Sequence, residues 1–375
     1  LEVAVYTPLN RLAIPSGVPR HIIEVVGALL RDPSLHVSFL ANAAEAEKYL
    51  PSCGQEWTDA PRTSFSRPVS QMSRLWGLIN WPSFEAMGGR ADWLYLPADA
   101  YVPAVRAKLA ITIHDVYKLE PPAPGEDKWE HYKARLRYWV IYKQIAAHAD
   151  SILTVSQFSA DRIMHHLGVP ASKIQVVHNG VSPDFFQPDE KQWPQLRASL
   201  GLADSEPFFV YVGGLKAKKN GGGIIATWRE FERRRREGRL VILGHHDSKM
   251  LEVARRELSR ALFPSRMDDC QMAALLSQSS ALFFPSFYEG FGIPIVEAMA
   301  AGTLCVLSDI PPFREIAGDV AFYSDPSDPS AMASRLEEIL LLGDVERVHR
   351  LRESKAIASN FTWDQVTQHV REIFK

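Results

Sequence analysis

The stretch ALFFPSFYEGFGIPIVEAMAAGTLCV, residues 281–306, decides the fold. Ala281 to Pro285 is a short apolar run with paired Phe, the pattern of a parallel strand buried on both faces. Ser286 to Gly292 is a turn carrying Glu289, Gly290 and Gly292. Ile293 to Ala301 is predicted as a helix, because Pro294 falls in the first turn, where a missing N–H costs little, and Gly302 stops it. A further strand, Leu304 to Leu307, follows. A strand that feeds a glycine turn and then a helix start aims backbone N–H groups and the positive end of the helix dipole at an anion, usually phosphate. Two carboxylates bracket this turn: Glu289 on the loop and Glu297 one turn into the helix, with seven residues between them.

EGFGIPIVEA followed by MAAGTLCV resembles the signature of the retaining glycosyltransferases of family four. The resemblance implies an α/β chain of the GT-B fold, two facing Rossmann-like doubly wound domains with an inter-domain cleft. It also implies roles: Glu289 on hydroxyls of the transferred sugar, Glu297 on the nucleotide ribose, and the amides of Gly290, Phe291, Gly292 and Ile293 on sugar and diphosphate. Taken alone, the same residues also fit an ordinary strand-loop-helix whose carboxylates face water.

Composition agrees with two domains. A chain of 375 residues is long for one core. With 46% hydrophobic and 23% charged residues it reads as a soluble globular protein. Net charge is −2, and Leu1 to Pro183 carries 18 basic and 17 acidic residues against 24 and 27 in the remainder, which argues against nucleic acid as a partner. Cys53, Cys270 and Cys305 are far apart and in no metal-ligand spacing, so a reducing compartment, the cytoplasm, is expected. No basic-then-apolar leader precedes the first strand, and no window of ~18 apolar residues could span a bilayer. The first residue is not Met, so what precedes Leu1 stays open.

In the N-terminal half, Glu2 to Thr7 reads as a first strand and His21 to Arg31 as the helix after it. The turn between them, IPSGVPRH, holds Gly17 just before that helix, where a bare backbone lets a ligand approach. By resemblance this turn faces donor phosphates and acceptor; a glycine required only by the turn is the alternative. Leu35 to Leu40 is a second strand, and Cys53 to Pro68 is polar and irregular. Met72 to Trp81 supplies an apolar stripe beside Arg67 and Arg74. Two readings stand for it: core, or a segment on the inner face of the cell membrane, where family members that use lipid-linked acceptors dock.

Asp92 to Leu96 and Lys108 to Ile113 are predicted strands, the second ending in IHD at the carboxyl edge where α/β sheets bind ligands. The resemblance puts His114 beside the transferred sugar, and Asp115 is expected to orient the loop. LEPPAPGED, residues 119–127, is a loop and a candidate for acceptor selection. Trp129 to His148 is predicted as an amphipathic helix with Trp139, Val140 and Ile145 inward. Asp150 to Val155 is a strand, Ser156 can cap the helix after it and Gly168 ends that helix. Ile174 to Val177 leads into HNGVSPDFF, which again resembles the family.

Prolines and charges from Pro183 to Pro207 give linker composition, with hinge motion expected. Phe208 to Val212 then runs into GGLKAKKNGGG, where Gly213 and Gly214 lie beside Lys216, Lys218 and Lys219. Flexible backbone and ammonium groups suit a diphosphate. The loop is neither a nucleotide P-loop nor a dinucleotide fingerprint, since Gly-Lys-Ser/Thr and G-x-G-x-x-G are both absent. Members of the family usually place Arg directly after the first Gly and a Lys before Asn or Gly. Lys219 precedes Asn220 as expected, but Gly214 holds the Arg position, leaving Lys216 or Lys218 to supply that charge. The run Arg233 to Arg236 reads as a solvated helix end, and Leu240 to Leu243 as a strand ending in GHH. The turn at Arg266 and Met267, ahead of a helix at Asp269 to Ser279, is implied to carry the nucleobase. SDIPPFREIAGDVAFYSDPSD also resembles the family, and the resemblance is weakest from Ala41 to Ala91.

The expected organisation is an acceptor domain over residues 1–183, a nucleotide-sugar domain over 184–361, and a C-terminal helix over 362–375 returning to the first. The implied chemistry is metal-independent transfer of a sugar, with retention, from a nucleoside diphosphate to a hydroxyl of a glycan or lipid-linked saccharide. Glu289, His114 and Lys219 are the catalytic candidates, and no cofactor is required. No D-x-D triplet, the usual carboxylate pair for a donor-bound metal, occurs in the chain. VGGL, KKN and FYEGFGIPIVE look most like bacterial polysaccharide mannosyltransferases, which makes GDP-mannose the expected donor. A sugar phosphorylase or nucleotide-sugar epimerase on the same fold, and a non-catalytic nucleotide-sugar-binding module, are the alternatives.

Overall fold

A computed structural model describes residues 1–13, 17–234 and 237–375. The chain divides into two compact units: Leu1–Pro121, Trp129–Gly180 and Trp363–Lys375 form the first, Pro122–Lys128 and Val181–Thr362 the second.

The first unit is built on seven strands, β1 (Glu2–Tyr6), β2 (His36–Asn42), β3 (Arg62–Phe65), β4 (Trp93–Leu96), β5 (Lys108–Ile113), β6 (Ser151–Thr154) and β7 (Ile174–Val176). They pair in parallel in the order β3-β2-β1-β4-β5-β6-β7. The order reverses between β1 and β4, so the loops after these strands diverge and open a crevice at the carboxyl edge. Aliphatic residues of the central strands, among them Leu94, Leu96, Ile111 and Ile152, pack with Trp76, Tyr142 and Ile145. The Trp363–Ile373 helix buries Val366, Val370 and Ile373, and Trp93 Nε1 donates to the carbonyl of Phe374 at 2.9 Å. That contact and the packing of this helix on the Gly17–Leu30 helix tie the C-terminus to the first sheet.

Three expectations for this unit are corrected. The polar segment before Pro68 contains an edge strand, β3, whose Arg62–Phe65 pairs with Phe39–Asn42. The first helix starts at Gly17 rather than His21, because Pro19 is tolerated in a first turn, so Gly17 lies inside the helix; Ile14, Pro15 and Ser16 of the same turn lie outside the described residues. In the Lys128–His148 helix Ile145 is buried, but Trp139 is 46% exposed and does not face the core.

The second unit carries β8 (Phe208–Val212), β9 (Arg239–Leu243), β10 (Ala261–Leu262), β11 (Ala281–Phe284), β12 (Cys305–Ser308) and β13 (Phe322–Ser324). These are parallel in the order β10-β9-β8-β11-β12-β13, reversing between β8 and β11. Phe209 of β8 packs on Trp228 and Phe231 of the Gly221–Arg234 helix. Arg233 is exposed as expected, but Arg234 turns inward to bond Glu230, Ser330 and Glu337; Arg235 and Arg236 lie outside the described residues. Among the described residues no helix is long and apolar enough to cross a membrane.

Candidate active site

In the second unit, two loops leave the sheet at the reversal between β8 and β11. The loop after β8 carries Gly213 to Asn220, and the loop after β11 carries Pro285 to Gly292. The Phe287 amide donates to the carbonyl of Lys218 at 3.1 Å, joining the two backbones. Lys219 Nζ donates to Glu289 Oε1, and the same ammonium lies 5.2 Å from the ring centre of Phe284. The Lys218 ammonium sits 5.3 Å from the Tyr288 ring. Partial desolvation, and then repulsion from Lys219, hold the Lys216 ammonium below its ordinary pKa. An ammonium held down by burial and by a neighbouring ammonium would be relieved by an anion such as a diphosphate.

The backbone of the first loop explains the missing arginine. Gly214 has φ +73°, and a Cβ built there would lie 2.0 Å from the carbonyl oxygen of His245, so no side chain fits. Tyr211 anchors the loop by donating from its hydroxyl to the Gly214 carbonyl at 2.9 Å. Its phenol is pushed far up by burial and by the charge of Glu289. Asn220 Oδ1 accepts from the Gly223 amide at 3.1 Å and so caps the Gly221–Arg234 helix, while its Nδ2 donates to the Pro326 carbonyl at 2.7 Å.

Across from it, the Ile293–Ala301 helix starts behind Gly292, at φ +143°, where a Cβ would press to 2.9 Å from Ile295 Cδ1. In the first turn of this helix Pro294 has no N–H and the Ile295 amide donates to the Gly292 carbonyl at 2.9 Å, which leaves the Ile293 amide at the helix start, near the carboxyl end of β11. Glu289 is 8% and Glu297 6% exposed, so neither carboxylate faces bulk water. Ser286, between them and β11, has a buried hydroxyl without a partner among the described residues. Arg266 and Met267 lie on the loop after β10, with β9 between that strand and β8, and Asp268 with Gln271 forms a capping box on the next helix.

In the first unit, His114 directly follows β5. Its Nε2 lies 3.0 Å from the carbonyl of Pro97, so Nε2 carries the proton. The ring meets that of His21 edge to face at 4.8 Å, and His21 Nδ1 bonds Asn179 Oδ1 at 2.8 Å. Burial pushes His114 down to about 4; burial and then the His114 ring push His21 down to about 3. Both rings are therefore neutral at pH 7. Asp115 Oδ1 accepts from the Tyr117 amide at 2.8 Å, the loop-orienting role expected of it. Gly17 is exposed in the first turn of its helix. Sequence reasoning missed His21, Asn179, Tyr211 and Ser286. His21 and Asn179 lie in IPSGVPRH and HNGV, blocks that signal the family without singling out these side chains.

Two parallel doubly wound sheets, one bearing lysines and a helix start at its switch point, have the architecture of the GT-B fold. Residues 15–185 match the family described as Glycosyltransferase Family 4, and residues 193–356 match Glycosyl transferases group 1. The chain belongs to the family-four glycosyltransferases. O-antigen chain mannosyltransferase B of Escherichia coli is 26% identical over 293 residues, covering 76% of this chain and 74% of its own. O-antigen chain mannosyltransferase RfbU of Salmonella typhimurium is 28% identical over 251 residues, 65% of this chain and 64% of its own. Anabaena HepE, solved in complex with UDP-glucose, shares the fold with a TM-score of 0.74 at 18% identity, covering 99% of this chain and 98% of its own.

Proposed function

We propose that the chain moves a sugar, mannose from GDP-mannose, to a hydroxyl of a glycan or lipid-linked saccharide in polysaccharide biosynthesis, in the cytoplasm, with retention and without a metal. The observation that carries this is the Lys219–Glu289 pair, with Lys216 and Lys218 on the same loop and a helix start across from it. Bond cleavage at the anomeric carbon leaves negative charge on the diphosphate and positive charge on the sugar ring. Lys219 and the amides from Gly290 to Ile293 act on the first, and Glu289 on hydroxyls of the second. The acceptor oxygen then forms the new bond on the face the diphosphate leaves, and its proton passes to a diphosphate oxygen. This route needs no covalent nucleophile. Glu297 holds the ribose, and Arg266 with Met267 the base.

Mannose as the sugar is supported by the resemblance of the VGGL, KKN and FYEGFGIPIVE segments and by the two O-antigen relatives, both mannosyltransferases. Metal independence is supported by lysines standing where a cation would otherwise neutralise the diphosphate, and by the missing D-x-D triplet. The test is a panel of nucleotide sugars, scored by thermal shift and by hydrolysis, with transfer repeated after exhaustive chelation. GDP-mannose should give the largest shift and a slow hydrolysis that chelation leaves unchanged. Binding without hydrolysis would indicate a non-catalytic module, and activity restored only by Mg²⁺ or Mn²⁺ would overturn the charge assignment.

A further inference from the structure

Strand β9 runs into Gly244, His245 and His246, and this turn lies against the loop after the neighbouring strand β8 that carries the lysines. Gly213 and Gly214 both donate their amides to the Leu243 carbonyl, at 3.0 and 2.9 Å. The approach leaves no room for side chains: a Cβ on Gly244, at φ +116°, would lie 2.5 Å from the Gly214 nitrogen. The two loops therefore touch backbone to backbone.

The next residue, Leu215, is held by both of its peptide groups. Its amide donates to His246 Nδ1 at 3.1 Å, and its carbonyl accepts from the Asp247 amide at 2.9 Å. Asp247 is fixed in turn, because its carboxylate accepts from the amides of Lys249 and Met250 and caps the Ser248–Glu257 helix. The Leu215 side chain is buried, so the residue is pinned on every side. Lys216 follows directly, and the Lys216 carbonyl accepts from the Gly221 amide at 2.9 Å, closing the turn that presents Lys218 and Lys219.

An amide can only donate, so Nδ1 of His246 bears a lone pair and the ring proton sits on Nε2. The ring meets Phe263 edge to face at 6.0 Å. The charged groups that face it are His245 beside it, Arg255 from the Ser248–Glu257 helix and Lys216 from the loop after β8. Burial, and then these cations, hold its pKa below the ordinary value, which keeps the lone pair available at neutral pH.

We propose that His246 is a positioning residue for the donor diphosphate: through the Nδ1 lone pair it fixes the Leu215 peptide, and with it the turn from which Lys216, Lys218 and Lys219 reach the phosphates. Long side chains place a charge well only when the backbone that carries them is set beforehand. The inference rests on reading this loop as the holder of the diphosphate, and it adds a residue that acts through Leu215 rather than on the ligand.

The test compares the full chain with His246→Asn, His246→Leu and His246→Ala. Asn carries its Oδ1 at the place along the side chain where His carries Nδ1, Leu keeps the shape without an acceptor, and Ala removes the group without adding apolar surface. Calorimetry near neutral pH, with GDP, UDP, ADP and dTDP, identifies the diphosphate that binds the wild type and then measures it on each variant, with thermal melts alongside. His246→Leu and His246→Ala should weaken that diphosphate about five- to tenfold, as for a lost hydrogen bond, and His246→Asn should stay within about twofold of the wild type. Wild-type affinity in His246→Leu and His246→Ala, even with a lowered melting temperature, would leave His246 a stabilising contact only and overturn the proposal. So would an Asn variant as weak as the Leu variant. A wild type that binds none of the four diphosphates would instead overturn the reading of the loop itself, and this inference with it.

Discussion

The Lys219 ammonium donates to the carboxylate of Glu289, from loops 70 residues apart in sequence that the reversal between β8 and β11 sets side by side. Each group is the counter-charge of the other, and both are largely buried, with 24% and 11% of their side chains exposed. A bound donor would replace this pairing, giving the lysine a phosphate and the carboxylate a sugar hydroxyl.

Lys219→Ala should therefore lower turnover at least about 10²-fold, as for other preorganised charges at a leaving group. It also leaves Glu289 buried without its partner, so the melting temperature should fall and partly recover in Lys219→Ala with Glu289→Gln. Steady-state rates and thermal melts check both. A loss of less than about threefold in rate would move the role to Lys216 or Lys218.

Gly214→Ala is expected to destabilise the protein by about 2–4 kcal/mol, because the residue has a positive φ and its Cβ would overlap the His245 carbonyl. Gly214→Arg, which restores the arginine common in the family, should be no better. Urea denaturation measures the cost. A stable and more active arginine variant would show that this loop does not have the backbone described.

His21 and His114 set a pH dependence whose sign follows from burial. Both are lowered from an ordinary value of 6.5, to about 3 and about 4. Above pH 6.5 neither folded nor unfolded chain holds a proton there, so the pair does not affect stability. As pH falls from 6.5 toward 4 the unfolded chain takes up protons that the folded chain refuses, and stability is lost. The slope for the pair is at most about 2.7 kcal/mol per pH unit. Denaturation midpoints from pH 7 to 4.5 should fall less steeply in His21→Gln than in the wild type. Equal slopes would contradict the burial of His21.

Much of the pair of loops after β8 and β11 was legible because its signals are local. Apolar runs such as Phe208 to Val212 and Ala281 to Phe284 end in glycines at the point where the backbone must turn, and Pro294 and Gly302 bound the helix between them. What was illegible depends on distance or on context. His21 meets Asn179 across 158 residues, so no spacing rule finds the pair. The β3 segment RTSF is polar because it is an edge strand, with only one neighbour to pair with. Trp139 was assigned inward since a helical period cannot say which of two apolar stripes meets the core. The structure shows that Tyr142 and Ile145 do.

The central claim is that Glu289 serves the reacting sugar and Glu297 the unreacting ribose. Contacts to the ribose are the same in ground and transition state, whereas those to the sugar can tighten as its ring flattens and gains charge. Steady-state kinetics with Glu289→Gln and Glu297→Gln, joined to calorimetry of the free nucleoside diphosphate, tests this directly. Glu297→Gln should chiefly raise the donor KM and weaken the nucleotide, and Glu289→Gln should chiefly lower kcat while the nucleotide binds nearly as before. Equal loss of nucleotide affinity in the two variants would contradict the division of roles and, with it, the placement of the donor across this turn.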